Sequence, residues 1–448
     1  MVKVRATVSP VGNPPSTPPI DPTTPVPVTP SSPQSRRRVI GLLLILLILL
    51  AGVGRLVVYP AWAGSREFSA GKELLEQHDL PEALAALKRA DAIRPSHLET
   101  QYLLAQTSRR LGQSAAAAEY RDAARTLGWI PELIDLEERL NRVQQIGPKG
   151  NEQTMFLSLV TADHPEDRLI LDALARGLNK PTYLNESIPV LTTWIERHPN
   201  DWLPYRLRGE QYATFGNRDL ALADYRKAIE LRPNRADVLT VLGSLLAQRD
   251  DGFDEAERQF QAALALDAKY IDAMIGLTRI QLRRGDRAAA QAMLDRVAKL
   301  KRDDHAALNL QAAIDLAENR TEAALDHLVK AQGQRNDDVE TISLLAQTLE
   351  RLGRTDQAKI ASQELKRREA DAKAIATLMQ ELLKSPRGAD LRYRLGELYL
   401  RAGQNDLGLD WLQSALVEDP KHEPTRKAMS EYYRQHVLQP VTAPGAKK

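Results

Sequence analysis

The sequence predicts an all-α solenoid of about ten helix–turn–helix repeats, preceded by one transmembrane helix and a disordered proline-rich tail. Three observations predict it: a 34-residue internal period, a helix-favouring composition after residue 65, and one long apolar run near the N-terminus.

The period is clearest in the small residue midway through each unit. Ser187, Ala221, Ala256, Ala290, Ala324 and Ala358 are separated by 34, 35, 34, 34 and 34 residues. Four residues later stand Leu191, Tyr225, Phe260, Leu294, Leu328 and Ser362, and three beyond those Trp194, Ala228, Ala263, Val297, Ala331 and Leu365. Spacings of four and three place the three positions on one helix face, which must pack against neighbours. An earlier helix in each unit carries Gly209, Gly243, Ala312 and Ala346, small residues that let two helices approach closely. Turns follow at Gly216, Gly285, Asn319 and Gly353, and Pro199 and Pro233 end one unit and begin the next, since proline cannot continue a preceding helix.

These residues resemble the tetratricopeptide repeat, a 34-residue helix–turn–helix unit. The best copy runs from Trp202 to Arg235 with Tyr205, Gly209, Tyr212, Gly216, Ala221, Tyr225, Ala228 and Pro233 in register. A second carries Gly396, Tyr399, Gly403, Gly408, Leu412, Ala415 and Pro420, and a third Gly71, Leu74, Ala83, Leu87, Ala90 and Pro95. The register divides the chain into repeats at 64–130, a degenerate repeat at 131–165 with Phe156 and Leu159 on its second helix, and an array at 166–365. A helical insertion at 366–388 follows, then a last repeat at 389–423, a capping helix at 424–439 and a disordered tail at 440–448.

Ahead of the repeats, ten of the 25 residues from Ser9 to Pro33 are proline, so residues 1–38 read as a disordered, partly polyproline-II tail, a spacer or a ligand for proline-recognition domains. Val39 to Tyr59 is a 21-residue run charged only at Arg55, long enough for a helix to cross a bilayer. Residues 39–63 are therefore expected to be a signal-anchor helix, with Tyr59 and Trp62 at the interface; the Ala61-Trp62-Ala63 pattern offers cleavage as the alternative. Arg36, Arg37 and Arg38 lie on its N-terminal side, which predicts a single-pass protein with a cytoplasmic N-terminus and an extracytoplasmic, periplasmic, repeat domain.

Composition excludes several kinds of chemistry. Lys3, Arg5 and Arg36–Arg38 against Asp21 give residues 1–38 a charge of +4, and since the whole chain is +2 the remainder sums to −2. A nearly neutral body offers no stripe for nucleic acid, so none is expected as a partner. The absence of cysteine removes disulfides and thiolate metal sites. No His-x-x-x-His pair, phosphate-binding loop or nucleophile motif is present, so no enzyme, cofactor or metal is expected.

Resemblance to the repeat family implies a concave surface lined by first helices that holds a peptide or protein client. Mapping its positions gives Tyr102, Arg206, Glu210, Arg279, Asn309, Gln347, Tyr393 and Glu397 as candidate contacts, a mixed lining suited to a polar extended peptide. The expected function is a membrane-anchored, non-catalytic scaffold. The alternative is an envelope assembly, secretion or maturation factor that cradles an unfolded client. The sequence does not fix the oligomeric state.

Overall fold

The computed structural model describes residues 42–44, 46–47, 59–95, 97–147, 151–162, 164, 167–249 and 251–436. Among these, regular structure is entirely helical. Ten hairpins succeed one another. They are α1 Tyr59–Glu76 with α2 Leu80–Ile93, α3 Leu98–Arg110 with α4 Ser114–Thr126, α5 Pro131–Ile146 with α6 Glu152–Thr161, α7 Asp167–Gly177 with α8 Leu184–Arg197, and α9 Trp202–Thr214 with α10 Arg218–Leu231. There follow α11 Ala236–Leu246 with α12 Phe253–Leu266, α13 Ile271–Arg283 with α14 Arg287–Leu300, α15 His305–Ala317 with α16 Thr321–Gln334, α17 Val339–Arg351 with α18 Thr355–Lys384, and α19 Ala389–Arg401 with α20 Asn405–Glu418. A last helix, α21 Glu423–His436, covers the end.

Small residues set the geometry of each hairpin. Ser187, Ala221, Ala256, Ala290 and Ala324 are wholly buried where a second helix crosses its first. A Cβ on Gly209 would lie 3.3 Å from both the Ala221 carbonyl and the Tyr225 ring, so the backbones meet there at the limit of contact. Chain reversal within hairpins uses left-handed backbone: Gly216 has φ 72°, and Asn319, one of the few side chains that tolerate this region, takes the same place with φ 61°. One apolar core then runs from Leu136 through Trp194, Tyr225 and Phe260 to Ile314 without a break.

The third hairpin departs from the rule. Helix α5 packs directly on α7, where a Cβ on Gly177 would overlap the Val143 carbonyl, and α6 lies aside with Phe156 and Val160, rather than Leu159, buried. The ninth differs in length: α18 is continuous for 30 residues, its first half pairing with α17 and its second, through Leu378, Met379 and Leu382, with the last hairpin. Residues 366–384 thus extend an existing helix.

Curvature follows from which helices are inside. Successive first helices, α11 with α13, α13 with α15 and α15 with α17, approach one another more closely than successive second helices do, so the first helices line the inner wall. The curve is tight enough for successive turns of the superhelix to touch. The loop inside the first hairpin, residues 77–79, meets the links 198–201 and 232–235 that follow the fourth and fifth hairpins. In the same sense, the loops inside the fourth and fifth hairpins meet the last hairpin and the link before it. Arg392, 1% exposed, donates to the Thr182 carbonyl at 2.9 Å, Asn185 donates to the Pro386 carbonyl at 2.9 Å, and Phe215 inserts beside Leu378, Met379, Leu382 and Trp411.

The expected membrane topology is corrected. Among the described residues no helix is long and apolar enough to cross a membrane. Single-pass placement, with a cytoplasmic N-terminus and an extracytoplasmic solenoid, is therefore not supported. Within the expected span 39–63, residues 42–44 and 46–47 are helical, 39–41, 45 and 48–58 lie outside the described residues, and 59–63 form the first turns of α1. At the C-terminal end of that span the physical reason is Gly64: it is buried, and the side chains of Ile93 and Arg94 pack against it, so residues 59–63 belong to the first hairpin. Trp62, expected at an interface, stands 5.7 Å beneath the Arg66 guanidinium, one turn further along. The proline-rich tail 1–38 and the tail 440–448 lie outside the described residues.

Because Ala290 is fully buried, Ala290→Arg forces a long unpaired charge into a helix crossing. The expected loss is about 3 kcal/mol or more, read by thermal or urea unfolding; wild-type melting in this variant contradicts the register.

A second prediction concerns the buried His78, at the tip of the first hairpin. Its Nε2 lies 3.0 Å from Asp201, its Nδ1 accepts from Arg110, and Arg168 and Asp172 are close by. Burial, with Arg110 adding to it against the pull of Asp201, pushes the His78 pKa down from 6.5 to about 4. A folded pKa below the unfolded one means that the unfolded chain binds the extra proton, so this stability is complete above pH 6.5 and lost as pH falls towards 4. Asp201 is held at about 2, so its own titration comes at lower pH. Stability should decline by about 3 kcal/mol between these pH values, and His78→Asn should flatten the decline. Equal slopes for the two proteins in pH-dependent melting contradict this assignment.

Candidate partner-binding surface

The inner wall is built from the first helices of each hairpin, and two cavities open into it. The first, about 300 Å³, lies among α1, α3, α5 and α7, with Leu75, Tyr102, Leu103, Trp129, Leu133 and Leu169 around it. Charged groups at its margin are already matched: Lys72 with Glu99 at 3.1 Å, Arg110 with Asp172 at 3.1 Å, and Arg168 with Asp201 at 2.8 Å. The second, about 530 Å³, lies among α11, α13 and α15 and is more polar, with Gln248, Asp272, Arg279, Arg283 and His305 over a floor of Phe260 and Ile275.

The eight candidate contacts separate into different environments. Tyr102 is 4% exposed and stacks on Trp129 with ring centres 5.3 Å apart, so it forms a wall of the first cavity. Asn309 is fully buried; its amide donates to Asp338 at 3.1 Å, within reach of the Thr341 hydroxyl. Since Asp338 caps α17 by accepting from the Thr341 amide, Asn309 splints α15 to α17 and presents no side-chain surface. Arg206 and Glu210 face each other at 3.5 Å along α9, both partly exposed. Arg279 reaches across the inner wall from α13 to α17, where its two terminal nitrogens donate to Glu340 at 2.8 and 2.7 Å. Gln347 is exposed on α17. Tyr393 and Glu397 border an open depression beside α21, where Tyr393 packs on His422 and burial raises its phenol pKa, helped by the negative charge of Glu397.

Structure thus brings Arg206 with Glu210, and Tyr393 with Glu397, into adjacent pairs, and leaves Tyr102, Arg279 and Gln347 in separate hairpins. Positional mapping on first helices missed Trp129, which lies in the link between hairpins, and Lys72, Arg110 and Arg168, which reach the first cavity from α1, α3 and α7. A signal existed for Trp129: a large aromatic in the Gly-Trp-Ile-Pro link 128–131, where a turn alone needs no ring. Among the described residues no group of three or more His, Cys, Asp or Glu side chains is placed to hold a metal ion.

Comparison with known proteins identifies repeats of one kind in three segments of the chain. Sequence models of the tetratricopeptide repeat match residues 207–235, 252–314 and 344–423. The chain carries tetratricopeptide repeats. A stretch of 213 residues, 48% of the chain, is 27% identical to anaphase-promoting complex subunit 7 of Arabidopsis thaliana. The match spans only a third, 33%, of that curated relative's length. Solved structures with some likeness include the APC/C hetero-tetramer Cut9–Hcn1, at 14% identity over 83% of this chain and 84% of that one, with a TM-score of 0.38. Yeast Tom70 gives 14% identity over 85% and 91%, with a TM-score of 0.34. YrrB, described as a TPR protein with an unusual peptide-binding site, gives 18% identity over 46% and 97%, with a TM-score of 0.27.

Arg279 and Glu340 are 42% and 37% exposed, so water screens their attraction despite the two-pronged geometry. A double-mutant cycle with Arg279→Ala and Glu340→Ala should give a coupling below about 1 kcal/mol in urea unfolding. A coupling several times larger makes the pair a structural brace and unsuits Arg279 for exchange with a partner.

Proposed function

We propose that this protein is an interaction scaffold that holds a peptide or protein partner on the inner wall of its solenoid. The observation that carries the reading is the composition of that wall. Its cavities combine apolar floors with exposed charges of both signs, the pattern that receives alternate side chains of an extended segment while polar groups fix its register. The presence of tetratricopeptide repeats supports it, and so does the name of the Arabidopsis relative, which describes a subunit of a larger complex. On this reading Arg206, Glu210, Arg279, Gln347, Tyr393 and Glu397 supply solvent-facing contacts and Tyr102 shapes a pocket. Asn309 acts only by holding α15 against α17.

Photo-crosslinking from the inner wall identifies the partner, and charge reversal then tests the face. Arg206→Glu with Arg279→Glu should weaken binding of the captured partner at least tenfold, with helix content and melting close to wild type, because surface substitutions move stability by only about 0.5 kcal/mol. Control reversals at Arg226 and Arg258, on the second helices α10 and α12, should leave affinity unchanged. If the controls abolish binding while the inner-wall variants keep it, the partner sits on the outside of the superhelix.

A further inference from the structure

The contact between the first superhelical turn and the middle of the chain rests on ion pairs more than the packing of successive hairpins does, although hairpins hold some of their own, such as Arg208 with Asp224. Hairpins bury alanine, leucine and aromatic surface. This seam is ionic. Asp79 receives Arg232 at 2.6 Å and Arg235 at 2.9 Å, across more than 150 residues of sequence; beside them the buried His78, uncharged at neutral pH, hydrogen-bonds to Asp201 at 3.0 Å, which Arg168 of the fourth hairpin holds from its own side at 2.8 Å. The apolar share is small: Arg235 lies 4.6 Å over the Trp202 ring, and the rings of Trp194 and Trp202 present themselves to His78 at 6.0 and 6.1 Å. These ion pairs retain access to water, with Asp79, Arg232 and Arg235 about a fifth to a quarter exposed. Such pairs are screened by salt, whereas apolar hairpin packing is not.

The same residues border the inner wall. Arg168 donates to the Glu76 carbonyl at 2.8 Å and Arg110 to the Leu75 carbonyl at 3.2 Å, and both side chains line the first cavity. We propose that the ion pairs of Asp79 with Arg232 and Arg235, backed by the hydrogen bond between His78 and Asp201, form a releasable strap that closes the first superhelical turn beside this cavity. Release lets the first hairpin swing away from the links 198–201 and 232–235 without melting any helix, and opens a lateral path to the cavity for an extended segment. The last clause rests on the inner wall being the binding face; the strap itself does not, and its test needs no partner.

Asp79 is the position at which to cut the strap. It stands at the N-cap of α2 yet makes no side-chain bond to that helix, so Asp79→Asn removes the charge that Arg232 and Arg235 share and costs α2 no cap. Because the chain contains no cysteine, Glu82→Cys and Asn234→Cys, both exposed and flanking the strap, give two unique sites for spin labels on the full chain. The labelled protein at low salt should show one narrow, short distance distribution. Salt at about 0.5 M, where the screening length falls below the spacing of second neighbours, should add a longer population, and Asp79→Asn should raise it at least fivefold at low salt, with unchanged helical circular dichroism. A single short distance in both conditions makes the seam a rigid part of the fold and overturns the proposal. So does a long distance that appears only together with loss of helix, because opening is then unfolding. Asp219→Asn, on the exposed start of α10 and outside the strap, serves as the charge control and should leave the distribution as in the parent.

Discussion

Everything in this molecule depends on how closely two helices approach at one small residue. Where Ser187, Ala221, Ala256, Ala290 and Ala324 sit, a larger side chain holds the pair apart, and the angle between the helices changes. A hairpin of this kind cannot bury its own apolar face, so each needs a neighbour, and the rotation between neighbours accumulates into a superhelix. The angle is set locally and read globally: it brings residues 77–79 to 201–235 and residues 182–215 to 378–414, contacts that no single repeat encodes.

The two seams between superhelical turns meet on the central hairpins and are chemically unlike. One is ionic, around Asp79 and Asp201. The other combines an inserted ring, Phe215, with the buried guanidinium of Arg392, which donates to the carbonyls of Thr182 and Pro386 and pairs with Glu418 at 3.4 Å. Backbone carbonyls at the ends of turns are fixed acceptors in both seams, those of Glu76 and Gln77 included, and the first seam adds the charge pairing of Asp79. The centre of the chain therefore carries two attachments, the second of which also holds an exposed pair, Lys180 with Asp410 at 3.0 Å.

What the sequence disclosed follows from this difference. Register, helix faces and turn positions are nearest-neighbour properties, and they were legible in the spacing from Ser187 to Ala358 and in Gly216, Gly285, Asn319 and Gly353. Contacts between turns were not, because nothing in the local pattern around His78 or Phe215 says that the curve is tight enough to bring them to Asp201 or Leu378. The inner wall was legible as a face, and Arg206, Glu210 and Gln347 stand there with exposed surface. Asn309 looked equivalent in position, but an amide opposite the helix cap Asp338 finds a better partner inside the protein than in water. The expected span 39–63 was over-read at its C-terminal end: residues 59–63 are the opening turns of a hairpin, packed where Gly64 is buried.

Helix α18 gives the last hairpins a mechanical character of their own. Elsewhere a link separates each hairpin from the next, so a fluctuation that melts one terminal unit can stop at that link. A continuous helix from Thr355 to Lys384 removes one such stopping point, because its two halves share an unbroken ladder of backbone hydrogen bonds while packing on different hairpins. The helix is 30 residues long, about 45 Å at 1.5 Å per residue, and Phe215 from the centre of the chain packs on its C-terminal half, beside the last hairpin. The last two hairpins thus share one unbroken helix and one packing contact with the middle of the chain, where elsewhere a link separates each unit from the next.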